Sequence, residues 1–298
     1  MTQVLISGGS GLVGKTLCKK LQTKGYSVAI LSRTKNKNLK TYLWDPQNNK
    51  IDPEAIDSSD YIIHLAGANI AEKRWSISRK KLILDSRVES ANLIFSEVKK
   101  QNKELKAFIS ASAVGYYGAL TSDKVFTEED YAASDFLGQT CFEWENAAKQ
   151  FETLGIRTVT LRTGLVLNKS GGALSKMIIP IKLGLGSALG NGNQYIPWIH
   201  IDDLCEIYIK AIEDTQMAGA FNAIAPDFQT NKSLTHMLSN ALNKPYWLPN
   251  TPAFLLKFIL SEMSVLLLKG SRVSSGKILK TGFTFKFPKL EKALKDLL

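Results

Sequence analysis

Three glycines spaced Gly8-x-x-Gly11-x-x-Gly14 follow the apolar run Val4-Leu5-Ile6 and precede a helix-compatible segment. A strand, a tight turn and a helix in that order can cradle a pyrophosphate. Gly8 can take a turn conformation closed to residues with a Cβ, Gly11 lets the backbone approach the phosphates, and Gly14 lets helix and strand pack closely. The helix N-terminus then aims unpaired N–H groups at the anion, which makes Gly8, Ser10, Gly11, Leu12, Val13 and Gly14 the candidate contacts. Glycine triplets also occur in purely structural turns; the flanking strand and helix, and a charged reader at the right distance, make this one specific. The reader is Ser32-Arg33-Thr34, at the end of the second strand. An acidic residue there would bind a free ribose 2′-hydroxyl, whereas an arginine flanked by hydroxyls suits a 2′-phosphate, so NADP(H) is expected over NAD(H). The plainer account of Arg33 is a solvated loop residue, since Lys35 and Lys37 follow it. A later strand ends at Leu65, and Ala66-Gly67-Ala68 after it offers small residues where a backbone could pass close to a cofactor, which makes Leu65, Ala66 and Gly67 further candidate contacts.

These residues need a scaffold, and the chain alternates strand and helix patterns for its first half. The periodicity predicts a helix over Lys15–Lys24 stopped by Gly25, strands at Ser27–Leu31, Thr41–Trp44 and Asp60–Leu65, and a helix over Lys80–Lys99. A strand at Ala107–Ser110, a helix at Phe136–Phe151 and a strand at Thr158–Leu161 follow. Asp45 either lies near an adenine or starts the turn Asp45–Asn49. Such alternation predicts an α/β fold, a doubly wound parallel sheet of Rossmann type. Beyond Arg162 glycines thicken and the alternation weakens. We expect residues 1–165 to form the nucleotide-binding domain, with 201–225 returning to it, and 166–200 with 226–298 to form a smaller α+β substrate lobe. In that lobe Asp202 or Asp203 can cap the helix that follows, Gly282–Pro288 reads as strand-like, and a last helix starts at Leu290.

Composition removes several function classes. With 298 residues, 44% hydrophobic and 22% charged, the chain is an ordinary globular one. Its formal charge of +11 invites a nucleic-acid reading, but the lysines are scattered and lack aromatic interleaving, so a solvated basic surface serving in part a phosphorylated cofactor is expected. Cys18, Cys141 and Cys205 are too few and too far apart for a disulfide framework or a zinc site, which fits a reducing cytoplasm. No cleavable leader is expected before the first strand. The stretch Phe254–Leu268 is interrupted by Lys257 and Glu262 and falls short of the ~20 apolar residues of a spanning helix, so it reads as a buried or amphipathic helix and not as a membrane segment. A small-molecule substrate and a monomer or homodimer complete the expectation.

The chain resembles the extended short-chain dehydrogenase/reductases, and within them the atypical epimerase-family proteins, often labelled cell-division-inhibitor-like, that carry a C-terminal domain of unknown function. The resemblance rests on Ser7–Gly14, His64-Leu65-Ala66-Gly67, Ser110-Ala111-Ser112-Ala113-Val114-Gly115-Tyr116-Tyr117-Gly118, Leu161-Arg162-Thr163-Gly164, Trp198–Asp203, Phe221-Asn222-Ala223 and the tail from Thr251. It implies a nicotinamide cofactor contacted also by Thr163, and hydride transfer to or from a carbonyl. In the superfamily a tyrosine and a lysine four residues later carry the matching proton, with an upstream serine and a helix asparagine. Ser112 matches the serine. Leu137 stands at the tyrosine position and Cys141 at the lysine position, while Arg87 falls where the asparagine is expected. A leucine transfers no proton, so two readings follow. Either the relay is rebuilt from Ser112, Tyr116 or Tyr117, Arg87 as the positive charge and Cys141 as a weak acid, or the protein is a cofactor-binding sensor or interaction module. His200 beside Trp198 is expected to be structural, as is His64.

Overall fold

The computed structural model describes all 298 residues, and the apolar run before Gly8 is its central strand. In chain order the strands are β1 (Gln3–Ser7), β2 (Ser27–Ser32), β3 (Lys40–Asp45), β4 (Lys50–Ile51), β5 (Tyr61–His64) and β6 (Ala107–Ala113). They continue with β7 (Val125–Phe126), β8 (Thr158–Thr163), β9 (Leu165–Leu167), β10 (Trp198–His200), β11 (Gly219–Ala223) and β12 (Arg272–Val273). The first six helices are α1 (Leu12–Thr23), α2 (Pro53–Asp57), α3 (Ile77–Lys100), α4 (Phe136–Lys149), α5 (Gly172–Lys182) and α6 (Ile201–Glu213). The rest are α7 (Asn231–Ala241), α8 (Ala253–Leu260), α9 (Val265–Leu268), α10 (Gly276–Lys280) and α11 (Leu290–Leu297).

Eight strands form one sheet in the order β11-β8-β6-β5-β1-β2-β3-β4, parallel except where β4 turns back on β3. Val4, Leu5 and Ile6 are fully buried because a parallel sheet is covered on both faces. On one face Leu17 and Leu21 of α1 and Leu204, Ile207 and Tyr208 of α6 pack against it; on the other, Leu93, Ile94 and Val98 of α3 do so. The chain winds one way from β1 to β3 and the other from β5 to β11. The crevice therefore opens at the carboxyl ends of β1 and β5, where ligands of doubly wound sheets bind.

A second core gathers around Trp198 from α5, α7 and α11, with β9 and β10 as a short parallel pair beside it. Several local details differ from expectation. His200, not Asp202 or Asp203, caps α6, its Nδ1 accepting from the Asp202 amide at 3.1 Å. The Asp203 carboxylate accepts from the Lys286 and Phe287 amides at 2.7 and 2.9 Å, so the extended run at Gly282–Pro288 is held by a side chain and pairs with no strand. Asp45 caps its own turn, accepting from the Gln47 amide. Phe254–Leu268 is broken at Ser261, whose φ is 52°; α8 has no buried residue, whereas Met263 and Ser264 after the break are buried, so the stretch is neither one helix nor buried throughout.

Candidate functional site

The glycine turn has the form a phosphate cradle needs. Gly8 has φ 73°, and a Cβ there would stand 2.9 Å from the Leu65 carbonyl carbon. A Cβ on Gly14 would stand 2.6 Å from Gly9 Cα, so α1 starts in direct contact with the turn. Gly11 caps α1 without a side-chain hydrogen bond, and no acidic residue lies in its first turn. By contrast Ser76 caps α3 and Asp135 caps α4. The orphan N–H groups of α1 are thus left for an anion, beside exposed Ser10 and Gly11 and half-buried Leu12 and Val13. Arg33 is exposed at the end of β2 and forms no ion pair; next to it the Ser32 hydroxyl accepts from the Thr34 amide at 3.3 Å.

Beneath the turn, β1 and β5 are stitched together by buried His64. Its Nδ1 lies 2.7 Å from the Ser7 hydroxyl, which accepts from the Ala66 amide at 3.3 Å, and its Nε2 lies 3.2 Å from the Ser90 hydroxyl. Burial, more than the nearby Arg87 charge, pushes the imidazole down to about 4 from its ordinary 6.5. Between those values the unfolded chain binds a proton that the native protein refuses, so stability is full above pH 6.5 and falls as pH drops toward 4. The loss over that window is about 3 kcal/mol from this residue. Urea denaturation across the window, with His64→Gln giving a flatter profile, checks this.

At the carboxyl ends of β6 and β8 the structure builds a network that the sequence did not announce. The Ser112 hydroxyl donates to Glu145 Oε1 at 2.7 Å. The same oxygen accepts from Arg162 Nε at 2.9 Å, while Arg162 Nη2 donates to Glu145 Oε2 at 2.8 Å, a bidentate pair. Arg162 Nη1 donates to the Tyr117 hydroxyl at 3.0 Å, and that hydroxyl donates to Asn222 Oδ1 at 2.7 Å. The Asn222 backbone N–H donates to Glu128 Oε1 at 2.8 Å. Burial works against the Arg162 charge, but the hydrogen bonds and charge of Glu145 outweigh it, and the net shift is upward. Arg162 and Asn222 lie within motifs that carried the resemblance, yet nothing local marks them as partners. Glu145 had one signal: it stands one helical turn after Cys141, on the same face of α4.

These contacts reassign several candidates. Tyr117 is buried and pinned in the network, with burial raising its pKa, so it is not a free proton donor. Tyr116 is half-buried, its ring 3.4 Å from the Arg162 guanidinium carbon and its hydroxyl without a protein hydrogen bond. Cys141 is 5% exposed, and burial followed by the Glu145 charge pushes its thiol up to about 12. A weak-acid role would need an exposed thiol with a lowered pKa, so the structure corrects that reading. Cys18 and Cys205 are also buried, pushed up to about 11 and about 12. A thiol-labelling reagent at pH 8 should find no reactive cysteine in the native protein and all three after denaturation; one fast native thiol would contradict the burial.

Arg87 has no carboxylate partner. Its guanidinium stacks on Trp144 at 4.9 Å, donates to the Ile83 carbonyl at 2.7 Å, and occupies space that a Cβ on Gly67 would enter at 3.0 Å. Gly67 therefore makes room for Arg87. Burial lowers the Arg87 pKa, the nearby Cys141 only partly opposing it. Leu137 joins an apolar cluster with Trp75, Ile83, Phe136, Leu260 and Met263, so its surroundings are apolar. Thr163, at the end of β8, donates to the Leu161 carbonyl at 3.2 Å.

The model of the NAD dependent epimerase/dehydratase family matches residues 4–224, and that of a domain of unknown function, DUF1731, matches residues 251–297. Epimerase family protein YfhF of Bacillus subtilis is 35% identical over 300 residues, covering 99% of this chain and 97% of its own. The crystal structure of human epimerase family protein SDR39U1 with NADPH superposes with a TM-score of 0.90 at 31% identity, covering 99% of each chain. The nucleoside-diphosphate sugar epimerase from Corynebacterium glutamicum gives 0.81 at 31% identity, covering 99% of this chain and 58% of that one. The UDP-N-acetylglucosamine 4-epimerase from Bacillus cereus gives 0.81 at 17% identity, a likeness of fold. On its sequence, its sheet and its two matched regions, the chain belongs to the NAD dependent epimerase/dehydratase family, as an atypical extended short-chain dehydrogenase/reductase with DUF1731 at its C-terminal end.

Proposed function

We propose that this protein binds NADP(H) in the crevice between β1 and β5 and acts as an oxidoreductase or epimerase on a small molecule, with the usual tyrosine and lysine replaced. The observation that carries it is the uncapped, acid-free N-terminus of α1 opening beside an unpaired Arg33. Together they supply orphan N–H groups for a pyrophosphate and a guanidinium for a 2′-phosphate. The human relative that binds NADPH supports the same choice. Bound there, the nicotinamide supplies or accepts a hydride.

The proton route is the chain's own. Ser112 already points its proton at Glu145, leaving its oxygen to accept one. In the oxidative direction a substrate hydroxyl donates to Ser112 Oγ; as hydride leaves the carbinol carbon, that proton passes to Ser112 and the serine proton to Glu145. In reduction the transfers reverse. Arg162 holds the carboxylate in place with two hydrogen bonds. Protein incubated with NADPH and a panel of carbonyl compounds and nucleotide sugars should oxidise the cofactor with some of them, at a rate reduced ~10²-fold or more in Ser112→Ala. Turnover unaffected by that substitution would remove Ser112 from the route. A second reading, an inactive NADPH sensor, is favoured by the apolar cluster around Leu137 and the buried Cys141. NADPH protection against unfolding without turnover on any substrate would establish it.

A further inference from the structure

The charge that composition reports as a single total is distributed very unevenly. Residues 166–200 and 226–298 hold fourteen Lys and Arg against four Asp and Glu, so this lobe carries +10 of the formal +11. Between residues 228 and 290 the only acid is Glu262, and Lys80 engages it at 2.6 Å. Lys182, Lys244, Lys257 and Lys269 are exposed and form no ion pair.

The same lobe exposes its most apolar helix. Phe254, Leu255, Phe258 and Ile259 of α8 lie at i, i+1, i+4 and i+5, one face of the helix, and all are exposed, Phe254 by 74% and Phe258 by 83%. Trp247, six residues before α8, is 71% exposed. Backbone hydrogen bonds between Thr251 and both Ala188 and Gly190, at 2.8 Å each, bring the start of α8 beside the loop that follows α5. Four large apolar side chains on one exposed helix face ask for a cover.

We propose that this face seats on an anionic lipid surface, with α8 lying in the interface, Phe254 and Phe258 in the acyl boundary and the lysines at headgroup level. No helix is long and apolar enough to cross a membrane, so the helix lies on the bilayer and does not span it. A second copy is a poor occupant, because it would set one +10 lobe against another. A protein partner would need to match this exposed helix face in shape, whereas a fluid bilayer needs no shape match.

Flotation with vesicles of phosphatidylcholine alone and of phosphatidylcholine mixed with phosphatidylglycerol tests it. We expect binding to the anionic vesicles to be at least ~10-fold stronger, and to weaken as salt is raised. Phe254→Ser/Phe258→Ser should lose that binding while keeping the wild-type circular dichroism and melting temperature, and Lys257→Glu should weaken it. Equal partition to both vesicle types, or undiminished binding by the double variant, overturns the proposal. So does a wild-type dimer in light scattering that the same double substitution dissociates, since a second copy would then be the cover.

Discussion

Glu145→Gln should lower the melting temperature by roughly 10 °C. The substitution leaves Arg162 buried with its charge uncompensated, and breaking a buried pair from one side costs about 3–5 kcal/mol. In a chain of this size each kcal/mol is worth about 2–4 °C. The loss is larger than that of an ordinary ion pair because Glu145 serves three donors: two from Arg162 and the hydroxyl of Ser112. Arg162→Met should be similarly damaging, since it strips the carboxylate and also the Tyr117 hydroxyl of a partner. The double variant Glu145→Gln/Arg162→Met should lie closer to wild type than the two single losses added together, because neither charge then remains stranded. Thermal and urea denaturation of the four proteins measure the coupling. Additive losses would mean that the two residues act separately, and the network would lose its claim to hold the end of β8 against α4.

Arg33→Ala should weaken NADPH binding by about 10- to 100-fold while leaving NADH binding near wild type. A charge-assisted hydrogen bond contributes about 1.5–3 kcal/mol, and each 1.4 kcal/mol is tenfold in affinity. Only the 2′-phosphate distinguishes the two cofactors at that end, and Arg33 is exposed with no competing carboxylate to hold it. Arg33→Lys should recover part of the loss, keeping the charge without the bidentate fork. Fluorescence titration of both cofactors is the measurement. Unchanged NADPH affinity in Arg33→Ala would reduce Arg33 to the solvated member of a basic loop.

The two predictions differ in how early they could have been made. Arg33 follows a strand and a glycine turn whose pattern occupies consecutive residues, so its place beside the crevice was legible before any coordinates. The alternation of strands and helices through Leu161 was legible for the same reason. The ends of β6 and β8 were not: Ala111-Ser112-Ala113 has no apolar period to extend the strand, and Arg162 is a charged residue in a buried one. The two-residue pair of β7 with β12 joins residues far apart in the chain and leaves no periodic trace. Exposure of α8 was likewise hidden, since an apolar run reads the same whether it packs inward or faces out.

By itself the sequence determined the family, the doubly wound sheet and the strand-turn-helix around its glycine motif, because each is written in local spacing that backbone geometry translates directly. Only the tertiary structure decided that the Ser112 proton goes to Glu145, that Tyr117 and Cys141 are closed off, and that Arg87 stacks on Trp144 without a carboxylate. Those outcomes depend on contacts among α3, β6, α4, β8 and β11 between residues 17 to 105 positions apart, where burial and partner geometry, not residue type, select which groups meet.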